Sequence, residues 1–195
     1  MKHGDVILNL YALHANPFVA GTMQHDIHTR KMFLESTQMG ATVCRGLGFD
    51  DADLIEYGIV TKAGTPYKST HAKHPCVLWI LESPANRGWF IAHLITVSAE
   101  CQLRFKKVYA CTSPAMGIAR LLTDNDLVAN WQDHTPFAQA MPEEYHNEDA
   151  VQAYRDYYLG DKMEQMNSQG ILKPSTWTLG EPAWVIEHRQ QEVLV

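Results

Sequence analysis

The 195-residue sequence predicts a mainly α, single-domain helical fold with at most a small strand element, and three observations carry that expectation. Prolines 75, 84 and 114 stand where apolar helical runs begin, two of them behind a serine. The first helical turn accepts proline because its missing N–H has no intrahelical acceptor there. Between Asp26 and Leu47, Met32, Phe33, Met39, Val43, Cys44 and Leu47 share one arc of about 140° at helical spacing. Only Val6-Ile7-Leu8-Asn9-Leu10-Tyr11 reads as a clear strand.

Taken in order, that strand comes first, and Asn16-Pro17 marks a turn. A helix starts near Asp26 as N-cap and runs to about Leu47, where Gly46 and Gly48 end it. Residues 48 to 74 read mostly as loop, with Gly64-Thr65-Pro66 turning Tyr67 toward a histidine cluster. A short helix follows from Pro75 through Leu81. Ser83-Pro84 caps the next, reaching about Phe105, and Ser113-Pro114 starts a third, to about Leu122. The acidic stretch from Thr123 to Asn147 is loop-rich. A last helix is expected over Glu148 to Met166, with an irregular tail from about residue 170. No repeat or linker divides the chain, so residues 1–195 are expected to form one domain.

Composition narrows the function classes. Apolar residues make up 46% of the chain, enough to close a core without staples at this length. The formal charge of −6 lacks the large basic surplus of a sequence-independent duplex binder. Any nucleic-acid contact must therefore use a local patch, drawn from Lys68, Lys73, Arg104, Lys106 and Lys107. Cys44, Cys76, Cys101 and Cys111 form no C-x-x-C pair and read as reduced core thiols. With no signal pattern and no membrane-length apolar run, the expected location is the cytoplasm, away from membranes.

Titratable residues concentrate in Tyr67-Lys68-Ser69-Thr70-His71-Ala72-Lys73-His74-Pro75, directly before the apolar helical region. Such density beside a buried element suits proton transfer or phosphate binding. His28, Lys31, Glu35 and Gln38 share a second, narrow arc on the first long helix. They offer a base or acid, a cation and an amide, although a charge stripe is also what a solvated face looks like. Asn86, His93 and Glu100 recur every seven residues on the helix from Pro84, with Arg104 on the same line and Trp89 beside it. That line is either an internal hydrogen-bond network or one wall of a pocket. His25-x-x-His28 and His71-x-x-His74 have a spacing that a divalent metal can use, but neither matches an established metal signature. No cofactor is expected. No phosphate loop, dinucleotide fingerprint or serine-nucleophile elbow occurs.

The combination of Asp26-x-His28-x-x-Lys31-Met32-x-x-Glu35-x-x-Gln38, Tyr67-Lys68-x-Thr70-His71-x-x-His74-Pro75, Trp79-x-x-Glu82-Ser83-x-x-Asn86, residues 135–145 and Ala153-Tyr154-Arg155-x-Tyr157-Tyr158 resembles a family of small, uncharacterised phage proteins. More distantly, the helical layout is similar to the pyrimidine-dimer DNA glycosylases, which use an N-terminal amine nucleophile and a glutamate on the first long helix. The resemblance carries over the glutamate, as Glu35. It does not carry over the amine, because Met1-Lys2-His3 supplies no small residue after Met1.

Together these readings lead to the expectation of an enzyme acting on a nucleobase or nucleotide, foremost DNA base excision or modification. Glu35, His28, His71 and His74 are the expected catalytic groups. Lys31, Gln38, Tyr67, Lys68, Asn86, Trp89 and Arg104 are the expected substrate contacts. A thymidine-hypermodification transferase is one alternative, and a non-catalytic protein that captures a host nucleotide signal or host protein is another.

Overall fold

The computed structural model describes residues 8–163, 165–166, 172–173 and 175–192. Its helices are α1 (Pro17–Ala20), α2 (Asp26–Gly46), α3 (Asp51–Glu56), α4 (Pro75–Glu82), α5 (Pro84–Phe105), α6 (Thr112–Asp124), α7 (Ala150–Tyr157) and α8 (Ala183–Glu192). Strands β1 (Gln165–Met166) and β2 (Leu172–Lys173) pair in antiparallel register as a two-residue ribbon. The fold is mainly α, with strand limited to that ribbon among the described residues.

α5 is the central helix, packed against α1, α2, α4 and α6. Its apolar residues leave few polar positions, and Trp89, Phe90, Leu94, Val97 and Cys101 are fully buried. Ser83 accepts from the Asn86 N–H and Pro84 fills the first turn, as the sequence requires. Lys106, at φ 50°, ends the helix in the left-handed region. On α2, Met32, Phe33, Met39, Val43 and Cys44 face the core, and Leu47 is half-buried. Gly88 lets the 129–131 segment lie against α5; a Cβ there would run into the Ala129 carbonyl oxygen.

Several expectations change. Residues 8–11 form no strand, and residues 6 and 7 lie outside the described part. Asn9 takes their place in explaining the segment. Its Oδ1 accepts from the N–H groups of Leu10 (2.7 Å) and Tyr11 (3.1 Å), and its amide donates to the Ala140 carbonyl at 2.7 Å. A side chain bonded to its own backbone removes donors a strand needs. The loop expected over 48–74 contains α3, capped by a reciprocal Asp50/Asp53 box. α2 is capped by His25 rather than Asp26. The last predicted helix stops early: α7 gives way to a π-turn over Tyr158–Lys162 and then to β1. The tail is not irregular throughout, since α8 covers Ala183–Glu192.

All four cysteines are free and buried. Burial pushes the thiols of Cys44, Cys76 and Cys101 up to about 12, so they act as core residues. Among the described residues, no helix is long and apolar enough to cross a membrane.

Candidate functional site

The polar line of α2 is covered, not solvated. His28 and Glu35 are buried, Gln38 is half-buried, and only Lys31 is substantially open. Two segments provide the cover. The buried stretch Leu8–Leu13 brings the Tyr11 ring onto His28, with centroids 5.2 Å apart and planes 24° apart. Residues 67–74 are tied down by Thr42, whose Oγ1 accepts from the Thr70 N–H at 3.0 Å. Arg45 completes the tie by donating to the Tyr67 carbonyl at 2.7 Å.

A chain of ring contacts runs through this region: Tyr157 to Tyr11 at 6.2 Å, Tyr11 to His28 at 5.2 Å, and His28 to His25 at 4.1 Å. Tyr158 meets Tyr11 and His28 edge-on, and its hydroxyl accepts from the His25 N–H at 2.9 Å. Trp177 closes the far side edge-on to His25 at 5.8 Å. Lys162 lies over the Tyr157 ring, 4.6 Å from its centroid. Tyr11 reaches this position with φ 46°, a left-handed conformation that costs a non-glycine residue energy.

Burial dominates the electrostatics. It lowers His25 to about 4, against the opposing pull of the Lys162 backbone and of Asp26, and Arg104 lowers it further. His28 falls well below the imidazole range, through burial first and then through the charges of His25, Lys31 and Lys162. Burial also lowers Lys162, with Asp161 pulling the other way. Tyr157 is pushed up to about 12, and Tyr11 and Tyr158 are raised well above the phenol range. The imidazoles of His25 and His28 and the phenols of Tyr11, Tyr157 and Tyr158 are therefore neutral near pH 7.

Glu35 departs from this pattern of neutral, burial-dominated groups. Burial raises its carboxyl, while Lys31 and, more weakly, His71 pull it back. Its Oε1 sits 3.6 Å from Lys31 Nζ, and its Oε2 is buried without a hydrogen-bond partner. Burial and the Lys31 ammonium thus act on this carboxyl in opposite directions, and burial has the larger effect.

The structure thus gathers Lys31, Glu35 and His71, with His28 deeper in the aromatic cluster. His71 is exposed at φ 54°, and His74 is half-buried, capping α4 by accepting from the Cys76 N–H at 3.2 Å. Burial and then His71 lower its imidazole. Tyr67 is half-buried and raised by burial, and Lys68 is exposed.

Three expected substrate contacts are engaged by the protein itself. The Asn86 amide donates to the Trp79 carbonyl (2.7 Å) and the Thr135 hydroxyl (2.8 Å), and its oxygen accepts from the Thr135 N–H (2.9 Å). Trp89 donates to the Ala15 carbonyl at 2.7 Å and stacks on the buried His93. Arg104 uses all three guanidinium nitrogens, on Glu100, Asp26, Thr29 and the carbonyls of Thr22 and Gln24. A pocket of 320 Å³ lies beside it, walled by Thr22, Met23, Glu100, Leu179 and Glu181, but this guanidinium has no donor left to aim there. The line on α5 is therefore the internal network.

His25 and His28 stack face to face instead of converging, and among the described residues no group of three or more histidine, cysteine, aspartate or glutamate side chains is arranged to hold a metal. Sequence reasoning missed Tyr11 and Lys162, and considered His25 only as a metal ligand. The helical spacing of Tyr154, Tyr157 and Tyr158 was the one available signal of an aromatic wall. No family model, curated protein or solved structure matches this chain.

Proposed function

We propose that the protein is an acid–base enzyme acting on a nucleobase or nucleotide, with Glu35 as the group that moves the proton. The observation that carries this reading is the buried Glu35 carboxyl, with one oxygen unpartnered and its pKa raised, 3.6 Å from Lys31. A structural carboxylate in such a place is normally satisfied on both oxygens. Glu35 instead keeps one acceptor open for something other than the protein.

A nucleobase suits this arrangement because it pairs ring nitrogens, which take or give protons, with keto oxygens that accept from an ammonium. Glu35 exchanges the proton with a ring nitrogen or glycosidic centre, and Lys31 stabilises charge that develops on oxygen. His71, exposed at the rim, returns the proton to solvent. The buried Tyr11–His28 stack acts as a rigid dry wall that keeps the carboxyl raised. Base excision and base modification both fit this chemistry.

The test is incubation with a panel of nucleosides, nucleotides and oligonucleotides, followed by mass spectrometry of the products. Glu35→Gln should lower turnover by about 10²-fold or more, as expected for loss of a general acid or base, while substrate is still retained. Undiminished turnover in E35Q removes the assignment. Recovery of one unchanged ligand after denaturation, with no turnover of any substrate, replaces it with a binding protein.

A further inference from the structure

We propose that the surface where the end of α5 meets the start of α2 is a docking track for single-stranded nucleic acid, leading toward Glu35. The proposal rests on the acid–base reading of Glu35 only for what the strand is delivered to.

The charge distribution comes first. Residues 101–123 contain Arg104, Lys106, Lys107 and Arg120 and no acidic residue, in a chain with 22 acidic and 16 basic ones. Residues 27–34 likewise hold Arg30 and Lys31 without an acid. The fold brings these segments together: the Cys101 thiol lies 3.4 Å from the Thr29 carbonyl, and the Arg30 guanidinium lies 5.0 Å from the Phe105 ring centroid. Lys107 sits 5.5 Å from the Tyr109 centroid, and Tyr109 meets Phe105 edge-on at 6.4 Å.

Arg30, Lys106 and Lys107 are exposed, and among the described residues none of them pairs with a carboxylate. A helix C-terminus carries about half a negative charge, which three cations more than offset. Apolar area is exposed beside them, with Val108 at 71% and Leu34 at 45%. Cations interleaved with aromatic and apolar side chains suit a strand that offers phosphates and unpaired base faces together.

The rest of the molecule selects among polyanions. A duplex or an anionic bilayer presents a broad negative face, and an approach along this patch would press that face on a chain of net charge −6. A flexible single strand can follow the patch alone. The route to the site is short, because Lys31 follows Arg30 on α2 and lies 3.6 Å from Glu35, and exposed Leu34 immediately precedes that glutamate.

The experiment is fluorescence anisotropy with a labelled oligothymidylate of about 12 nucleotides, from about 50 to 200 mM salt, on the full chain. Wild type should bind, with a log–log salt slope of about 0.7 per phosphate contacted. The double reversal Arg30→Glu/Lys107→Glu should weaken binding by at least about tenfold and flatten the slope. The milder Arg30→Gln/Lys107→Gln should move both in the same direction, which guards against a fold defect in the reversal.

No binding by wild type at low salt overturns the track, as does binding that both double variants leave unchanged. Tighter binding to the matching duplex, or to phosphatidylserine-containing vesicles, also overturns it. The two readings fail separately. Turnover of free nucleosides without oligonucleotide binding removes the track and leaves Glu35. Oligonucleotide binding through Arg30 and Lys107 without turnover of any substrate removes the catalytic reading and leaves the track.

Discussion

Lowering the pH from 8 to 5 should cost the protein about 4 kcal/mol of stability through His25 and His93 together, at about 2 kcal/mol for each buried imidazole. Burial holds His25 at about 4 and His93 at about 3 in the folded state, against 6.5 for the free side chain. Because both folded values lie below the unfolded one, the unfolded chain binds more protons as the pH falls. Their stabilising contribution is complete above 6.5 and is lost toward the folded values. Between 6.5 and 5 the unfolded imidazole gains its proton while the native one stays neutral. About 1.5 pH units at about 1.4 kcal/mol each give about 2 kcal/mol per histidine. His28 adds to the loss, being lowered as well. Glu35 opposes it, since a raised carboxyl regains stability as it protonates. Asp26, lowered by its bonds to Thr178 and Thr176 despite burial, adds to the loss only as the pH falls below the ordinary carboxylate range.

The variant His25→Asn isolates one contribution. His25 Nδ1 accepts from the His28 N–H as the N-cap of α2, and asparagine keeps a capping oxygen while removing the titration. H25N loses the ring stack on His28 and starts out less stable than wild type at pH 8. Urea unfolding at pH 8, 7, 6 and 5 should show that gap narrowing by about 2 kcal/mol at the acid end. Parallel curves would mean that His25 titrates normally in the folded protein. The Tyr11–His28–His25 cluster would then be open to water and could not keep Glu35 dry.

Three further outcomes follow from the geometry. Glu35→Gln should be at least as stable as wild type at pH 8, because it removes a charge penalised by burial and forfeits only a half-exposed lysine pair; a loss above about 1 kcal/mol in urea unfolding contradicts this. Gly88→Ala should lower stability by about 2 kcal/mol, or about 4–8 °C in Tm, because its Cβ meets a backbone carbonyl that cannot swing aside. Asn86→Ala should cost about 2–3 kcal/mol by leaving the Trp79 carbonyl and the Thr135 N–H unpaired, and should speed proteolysis between residues 127 and 137.

What the sequence made legible was mostly local. Pro84 behind Ser83 marked both the start and the character of α5, and the arc from Met32 to Leu47 marked the buried side of α2. These signals need no knowledge of the rest of the chain. α3 was missed because its capping box is written in aspartates, inside a run that reads as acidic loop. Residues 8–11 were read as part of a strand because pattern cannot show that Asn9 bonds to its own backbone. The larger miss concerned α2's second face. Whether His28, Lys31, Glu35 and Gln38 are solvated depends on residues 8–13 and 67–74 folding over them, and a helical wheel holds no such information.

That cover also separates polar groups whose bonds are replaced from one whose bonds are not. Asp26, Asn86 and Arg104 are buried and each has several partners, with Asp26 bonded by Thr176, Thr178 and Arg104. Burying such groups is tolerable because every bond lost to water is replaced. Glu35 is buried to a similar degree without that replacement, and among the described residues with unpartnered buried atoms it is the only carboxylate. His93 and Gln24, 3.5 Å apart, also hold unpartnered atoms, but both are neutral and the cost is correspondingly smaller. Folding could have relieved Glu35 by exposing it or by bringing a second donor to Oε2. Instead Tyr11 adopts a strained backbone, and the rings of His28, Tyr154, Tyr157 and Tyr158 lie against the Tyr11 ring. A strained residue and a half-satisfied buried carboxyl in one region are the features that the proposed acid–base role of Glu35 rests on.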